Sequence, residues 1–327
     1  FIPSSAFPLP SRPNEQFGFK IAGSADGKKW AVSAPGYNTP LTGTGVVNVF
    51  RKDGTGNSLV NIISLTNLDQ NTQAYGSKVV VDGDNNYVYV SDPYFSVTNG
   101  GSSGSNGQGI VDKWQIDFIS ATATKVATYQ DPNMSISSQF GYDIVYNDSA
   151  LIVSSPGVGT VSVIGPTITN TISAPASSPA RFGQSIATSK DGLTIAVTAP
   201  GSGNKDLGAV YVYLSTPTST HYSSPHQTIT PNSLSAYDTI IAGDKFASKV
   251  LLSSDASYMF ITAYRSVKGS SKVGKVIVMK LNASTQLYEY NQTLTSPYNN
   301  LGLDFGTDIS IDQTANVLTV SAIGSLQ

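Results

Sequence analysis

Cysteine is absent from this chain of 327 residues, and that absence removes disulfides, thiolate metal sites and thiol nucleophiles together. Glutamate occurs only at Glu15 and Glu289, and no stretch of useful length carries a helical apolar period, so a helical fold is excluded. Charged residues make up only 12% of the sequence, and the net charge is −2. No basic footprint for nucleic acid or an anionic membrane follows from that balance. No apolar run approaches the length that crosses a bilayer as a helix. The two histidines, His221 and His226, share one loop at a spacing that is not a zinc motif and have no carboxylate near in sequence. They are expected to be solvated. Paired carboxylates for glycoside chemistry cannot be singled out. Gly100-Gly101-Ser102-Ser103-Gly104 precedes no helix, so it is not a phosphate-binding loop.

Abundant Thr, Val, Ile and Tyr, with 30 Gly and 17 Pro, point instead to many short strands joined by turns. One pattern recurs six times. An aromatic and a small residue open it at Phe17-Gly18, Tyr75-Gly76, Phe140-Gly141, Phe182-Gly183, Phe246-Ala247 and Phe305-Gly306. A short alternating stretch follows, then a turn rich in Asp, Asn and Gly such as Ala25-Asp26-Gly27 or Lys190-Asp191-Gly192. A more apolar stretch comes next, as in Trp30–Gly36 and Ile195–Gly201, both ending Ala-Pro-Gly. A third begins behind a glycine, as in Gly45–Phe50, Gly109–Trp114, Gly208–Tyr213 and Gly274–Met279, and a weaker fourth precedes the next aromatic. Four strands per repeat predict an all-β fold, a β-propeller of four-stranded antiparallel blades. Six or seven blades are expected over residues 1–327 as one domain, the last blade incomplete, with residues 1–16 able to supply a closing strand. The recurring aromatic is expected to wedge between adjacent sheets.

Phe-Gly, then Ala-Pro-Gly, then Gly-x-Val-Tyr-Val-Tyr resemble FG-GAP repeats, the blades of integrin α-chain propellers, over essentially the whole chain. That resemblance implies calcium in the first hairpin of several blades. The nearest match is Asp82-Gly83-Asp84-Asn85-Asn86, where Asp82, Asp84 and Asn86 offer three oxygens but the Asp-Gly and closing Asp are missing. A water-exposed Asx turn is expected there. No cofactor is expected, and if calcium binds, this loop is where it does.

Loops on a rigid scaffold carry binding, and aromatic and arginine side chains dominate binding hot spots. Tyr37, Asn38, Tyr94, Phe95, Lys205, Tyr264 and Arg265 are therefore the expected ligand-binding residues. The resulting expectation is a non-enzymatic recognition or adhesion module on a cell or particle surface, secreted or virion-borne, binding a protein or glycan. Its alternative is a building block of a surface layer, appendage or virion contacting neighbouring subunits. A third reading is a glycan-active or ester-active enzyme.

Overall fold

The computed structural model describes residues 15–37, 45–52, 54, 59–67, 74–96, 107–166, 169–175, 180–201, 207–215, 222, 224–241, 243–268, 271–297, 304–312 and 317–323. Five four-stranded antiparallel meanders follow one another along the chain. The first is β1 (Ile21–Gly23), β2 (Lys29–Ala34), β3 (Val46–Lys52) and β4 (Leu59–Leu65). The second is β5 (Lys78–Asp82), β6 (Tyr87–Asp92), β7 (Ile110–Asp117) and β8 (Thr122–Gln130). β9 (Ile144–Asn147), β10 (Ala150–Ser155), β11 (Thr160–Ile164) and β12 (Thr169–Ser173) form the third, and β13 (Ile186–Thr188), β14 (Thr194–Ala199), β15 (Ala209–Leu214) and β16 (Gln227–Ile229) the fourth. A one-turn helix, α1 (Pro231–Leu234), leads into the fifth: β17 (Phe246–Leu252), β18 (Tyr258–Ala263), β21 (Lys275–Asn282) and β22 (Leu287–Thr295). A small ribbon, β19 (Val267–Lys268) with β20 (Ser271–Lys272), is inserted in it. A two-stranded sheet, β23 (Asp304–Ile311) and β24 (Leu318–Ile323), comes last. This is the expected β-propeller architecture of four-stranded blades. Of the expected closing segment, residues 1–14 lie outside the described residues.

Two side-chain devices repeat from blade to blade. In the first hairpin of three blades a serine hydroxyl donates to an aspartate two residues on: Ser24 to Asp26 (2.6 Å), Ser189 to Asp191 (2.5 Å) and Ser253 to Asp255 (2.6 Å). The same serine oxygen accepts the N–H of Lys29, Thr194 or Tyr258, which closes the turn. Local Asx and Ser bonds of this kind satisfy the orphan turn groups. The second device lies just after the aromatic. The N–H of Lys20, Lys78, Ser185, Lys249 and Asp308 donates to a hydroxyl on the second strand: Ser33, Ser91, Thr198, Thr262 and Ser321. At the first four of these sites a buried Ser or Thr inside an otherwise apolar strand thus has a backbone partner.

The chain divides into two compact units, 1–144 and 145–327. In the first, Ala31, Val47 and Leu65 of one sheet pack with Tyr75, Val88 and Val90 of the next. In the second, Ile152, Val161 and Ile172 pack with Phe182, Ile195, Val197 and Tyr213. Ala196 and Val212 likewise pack with Phe246, Ile261 and Met279. Within each unit the sheets bury faces on one another, so β14 is buried at every residue while outer strands such as β8 and β12 stay half wet. Tyr75, Phe140, Phe182 and Phe246 are fully buried wedges. Phe17 and Phe305 are only half buried.

The glycine that opens the third strand has a cause outside its own blade. Gly45 sits at φ +72° with the Tyr75 carbonyl oxygen where a Cβ would go, and Gly109 at φ +80° stands in the same relation to Phe140. A side chain at either site clashes with the backbone of the next aromatic and strains its own. Two sequence landmarks of the repeat are therefore one contact.

Candidate functional site

Five of the expected binding residues lie among the described residues, Tyr37, Tyr94 and Phe95 in the first unit and Tyr264 and Arg265 in the second. Tyr37 is half buried and its carbonyl accepts the Gly45 N–H (3.0 Å). Tyr94 is exposed, whereas Phe95 is buried and its carbonyl accepts the Gly109 N–H (3.0 Å). Tyr264 is half buried, and the exposed Arg265 guanidinium lies 5.6 Å from its ring centroid. Asn38 and Lys205 lie outside the described residues, as does His221. His226 Nε2 is 3.0 Å from the Gln286 carbonyl. In the expected calcium loop the Asp82 carboxylate turns onto Asn85, accepting its backbone N–H (3.1 Å) and its side-chain amide (3.0 Å). Asp84 is exposed and Asn86 takes φ 58°, the left-handed conformation of a tight hairpin.

A cavity of about 550 Å³ lies instead within the second unit, lined by Ser235–Thr239, Ser266, Val273–Lys275, Thr293 and Thr295. Its walls follow from local structure. Thr230 caps α1 in a capping box with Ser233, Pro231 begins the helix, and Leu234 is buried beneath it. The Tyr237 and Asp238 N–H groups both donate to the Leu234 carbonyl (2.9 Å), so the chain leaves α1 in a fixed turn. Opposite, Lys275 begins β21 in register with Thr295 of β22. Thr293 and Thr295, two residues apart on a strand, share one face.

Asp238 and Lys275 meet in this cavity with side chains only 16% and 10% exposed. The Lys275 ammonium donates to Asp238 Oδ1 (2.8 Å) and to the Thr239 carbonyl (2.7 Å). Thr293 donates its hydroxyl to Asp238 Oδ2 (2.8 Å), and its own oxygen is 3.1 Å from the Tyr290 hydroxyl. Tyr290 carries a stacked partner, Tyr237, with centroids 4.8 Å apart and planes 8° from parallel. Tyr237 is 63% exposed, so one ring face is covered by Tyr290 and the other is open to solvent. Ser266 is held from behind by Asp244, whose Oδ2 accepts both the Ser266 hydroxyl (3.0 Å) and the Ile241 N–H (3.1 Å).

A nearly dry ion pair adds little to stability compared with apolar packing, because desolvation offsets the attraction. Placed in a cavity, it offers an acid–base pair with the ammonium able to stabilise developing negative charge. The surrounding hydroxyls and the open Tyr237 face suit a polyhydroxylated ring, which has polar edges and an apolar face.

Sequence reasoning missed both charges, which are 37 residues apart. One signal was present. Lys275 occupies the position after the third-strand glycine, where three of the other blades carry the buried apolar residues Val46, Ile110 and Ala209 and the third blade carries Thr160. A lysine at a core position of a repeat marks the blade that departs from the pattern.

No protein-family model matches the chain, and no curated protein sequence matches it. Solved structures do share its fold. A putative 6-phosphogluconolactonase from Bacteroides uniformis is 13% identical, with a TM-score of 0.59 over 93% of this chain and 77% of the other. The periplasmic gluconolactonase of Pseudomonas aeruginosa is 13% identical, with a TM-score of 0.57 over 92% and 77%. The WD40 repeats of RRP9 are 11% identical, with a TM-score of 0.54 over 94% and 74%. At these identities the likeness establishes the propeller fold. Two of the three neighbours are named lactonases, which overturns the expectation of a non-enzymatic adhesion module. The physical reason is that a blade repeat specifies a scaffold and not a chemistry. The non-enzyme reading also rested on finding no acid–base pair in the sequence, and the fold builds one at Asp238 and Lys275.

Proposed function

We propose that this chain is an enzyme that hydrolyses a lactone or ester of a sugar-derived substrate, with the Asp238–Lys275 cavity as its site. The buried carboxylate–ammonium pair in the cavity that Tyr237 also lines carries this reading. The lactonase names among the fold neighbours agree with it. The blades themselves we read as FG-GAP in type, from the Phe-Gly and Ala-Pro-Gly positions alone.

The chemistry divides among four side chains. Tyr237 stacks on the apolar face of the ring. Asp238, held by Thr293, takes a proton from water as that water adds to the acyl carbon. Lys275 donates two N–H groups to Asp238 and the Thr239 carbonyl, and its third meets the oxyanion that forms. When the acyl–oxygen bond breaks, the proton on Asp238 returns to the departing ring or ester oxygen, giving a hydroxy acid. Carboxylate general bases of this kind contribute about 10²–10⁴-fold to rate.

The test is hydrolysis of a panel of aldonolactones and sugar esters, followed by acid release at constant pH. Asp238→Asn is expected to lower kcat by about 100-fold or more. Tyr237→Ala is expected to raise KM with little change in kcat. A folded Asp238→Asn chain that turns over as fast as the parent on every substrate it accepts would sink the assignment.

A further inference from the structure

Three of the side chains that line the cavity at Asp238 are hydroxyls whose hydrogen is already given to the protein. Ser266 donates to Asp244 Oδ2 (3.0 Å), Thr293 to Asp238 Oδ2 (2.8 Å) and Ser235 to the Asn232 carbonyl (2.8 Å). A serine or threonine hydroxyl has one hydrogen to give and two lone pairs to offer. With the hydrogen spent, each of the three can only accept from a ligand. Thr293 has one lone pair fewer, because the Tyr290 hydroxyl, 3.1 Å away, is then the donor of that pair.

The charges point the same way. Among the described residues that line the cavity, Asp238 and Lys275 are the charged ones, and they cancel. Two of the three Lys275 N–H groups are spent on Asp238 and the Thr239 carbonyl. Asp244 shows what the acceptor character costs. It is 2% exposed, and its Oδ1 is buried without a hydrogen-bond partner among the described residues. A buried carboxylate so incompletely satisfied is destabilising. Its Oδ2 fixes the Ser266 hydroxyl as an acceptor.

A ligand hydroxyl supplies the donor that these oxygens lack. A phosphoryl group near neutral pH carries close to two negative charges and brings acceptors only. It sets lone pairs against lone pairs and loses its hydration with no spare cation to replace it. We infer that the cavity selects a neutral polyhydroxylated ring over its phosphorylated counterpart, with Ser235 and Ser266 as specificity-determining residues. The inference rests on this cavity being the substrate site.

Calorimetric titration of the whole chain with the δ-lactams of gluconic, galactonic and mannonic acid, and with the 6-phosphate of each, tests it. A lactam keeps the ring and hydroxyls of the lactone and resists hydrolysis, so binding is read apart from turnover. Saturable binding of at least one neutral lactam is expected, with its 6-phosphate bound about 10-fold or more weakly. If none of the neutral lactams saturates, or if a 6-phosphate binds as tightly as its parent lactam, the inference fails. In Ser235→Ala/Ser266→Ala the neutral lactam is expected to lose about 5-fold or more in affinity while the 6-phosphate does not. A general loosening of the cavity weakens both alike, and that result counts against the assignment. Should the double variant not fold, Ser235→Ala at an exposed position carries the same expectation. Lactam binding with this preference, in a chain that hydrolyses no lactone or ester, would strike the hydrolase reading and leave the specificity standing. Lactone turnover that favours the 6-phosphates would do the reverse.

Discussion

At the scale of single residues, the buried hydroxyls of the second strands look like polar defects in apolar runs. Thr198 shows why they are not. It is fully buried, its hydroxyl accepts the Ser185 N–H at 2.9 Å, and it donates back to the Ser185 carbonyl at 3.2 Å. Thr198→Val keeps the shape and removes both bonds, leaving a buried N–H without a partner. The expected cost is about 1–3 kcal/mol in urea denaturation, with Thr198→Ser close to the parent. The corresponding bond in the first blade, from Lys20 N–H to Ser33, is only partly buried, so Ser33→Ala is expected to cost less. Equal stability of Thr198→Val and the parent would show that water or a shifted backbone satisfies Ser185 instead. This residue was legible as part of the apolar Ile195–Gly201 stretch, but its role was not. The partner lies across a bulge, and a hydroxyl in a sequence does not announce which N–H it meets.

At the scale of the hairpin, the Ser-x-Asp turns couple stability to pH. The Ser24 hydroxyl, then the Lys28 N–H, hold the Asp26 carboxyl below the ordinary aspartate range. The Ser253 hydroxyl, then the Ser257 N–H and hydroxyl, do the same for Asp255. A carboxyl whose folded-state pKa is depressed binds fewer protons folded than unfolded in that interval. Its contribution is present above the unfolded value of about 3.9 and is lost as pH falls through the folded value. Stability is therefore expected to decline below about pH 4. In the Ser24→Ala/Ser253→Ala double variant the decline is shallower, although the variant starts from a lower level. Urea midpoints measured from pH 6 to pH 2.5 check the slope, and parallel curves for parent and variant would count against the coupling. Both carboxylates are exposed, so solvent screening keeps each contribution small.

At the scale of the molecule, what the sequence made legible was whatever the repeats share. Strand order, hairpin placement and the aromatic wedges appear in several copies, and each copy restates the same packing problem. The Asp238–Lys275 cavity joins residues from a connector and a strand far apart in sequence, so no internal comparison could expose it except the odd lysine at an apolar position. The resemblance to integrin-type blades also implied calcium, and the first hairpins of the five four-stranded blades bear on that. Asp26, Asp191 and Asp255 each accept a serine hydroxyl, and Asp82 accepts two donors from Asn85. In the third blade Asn147 stands in their place, its oxygen taken by Ser149 and by the Ala150 N–H. A calcium loop needs several oxygens turned toward one point, and here the oxygens are spent on closing the turn. We therefore predict that the thermal midpoint is the same with chelator as with added calcium, since a ligand bound only by the folded chain would raise it. A saturable rise in midpoint with calcium, abolished by Asp82→Ala, would mean that the second hairpin opens its Asn85 bonds to take the ion.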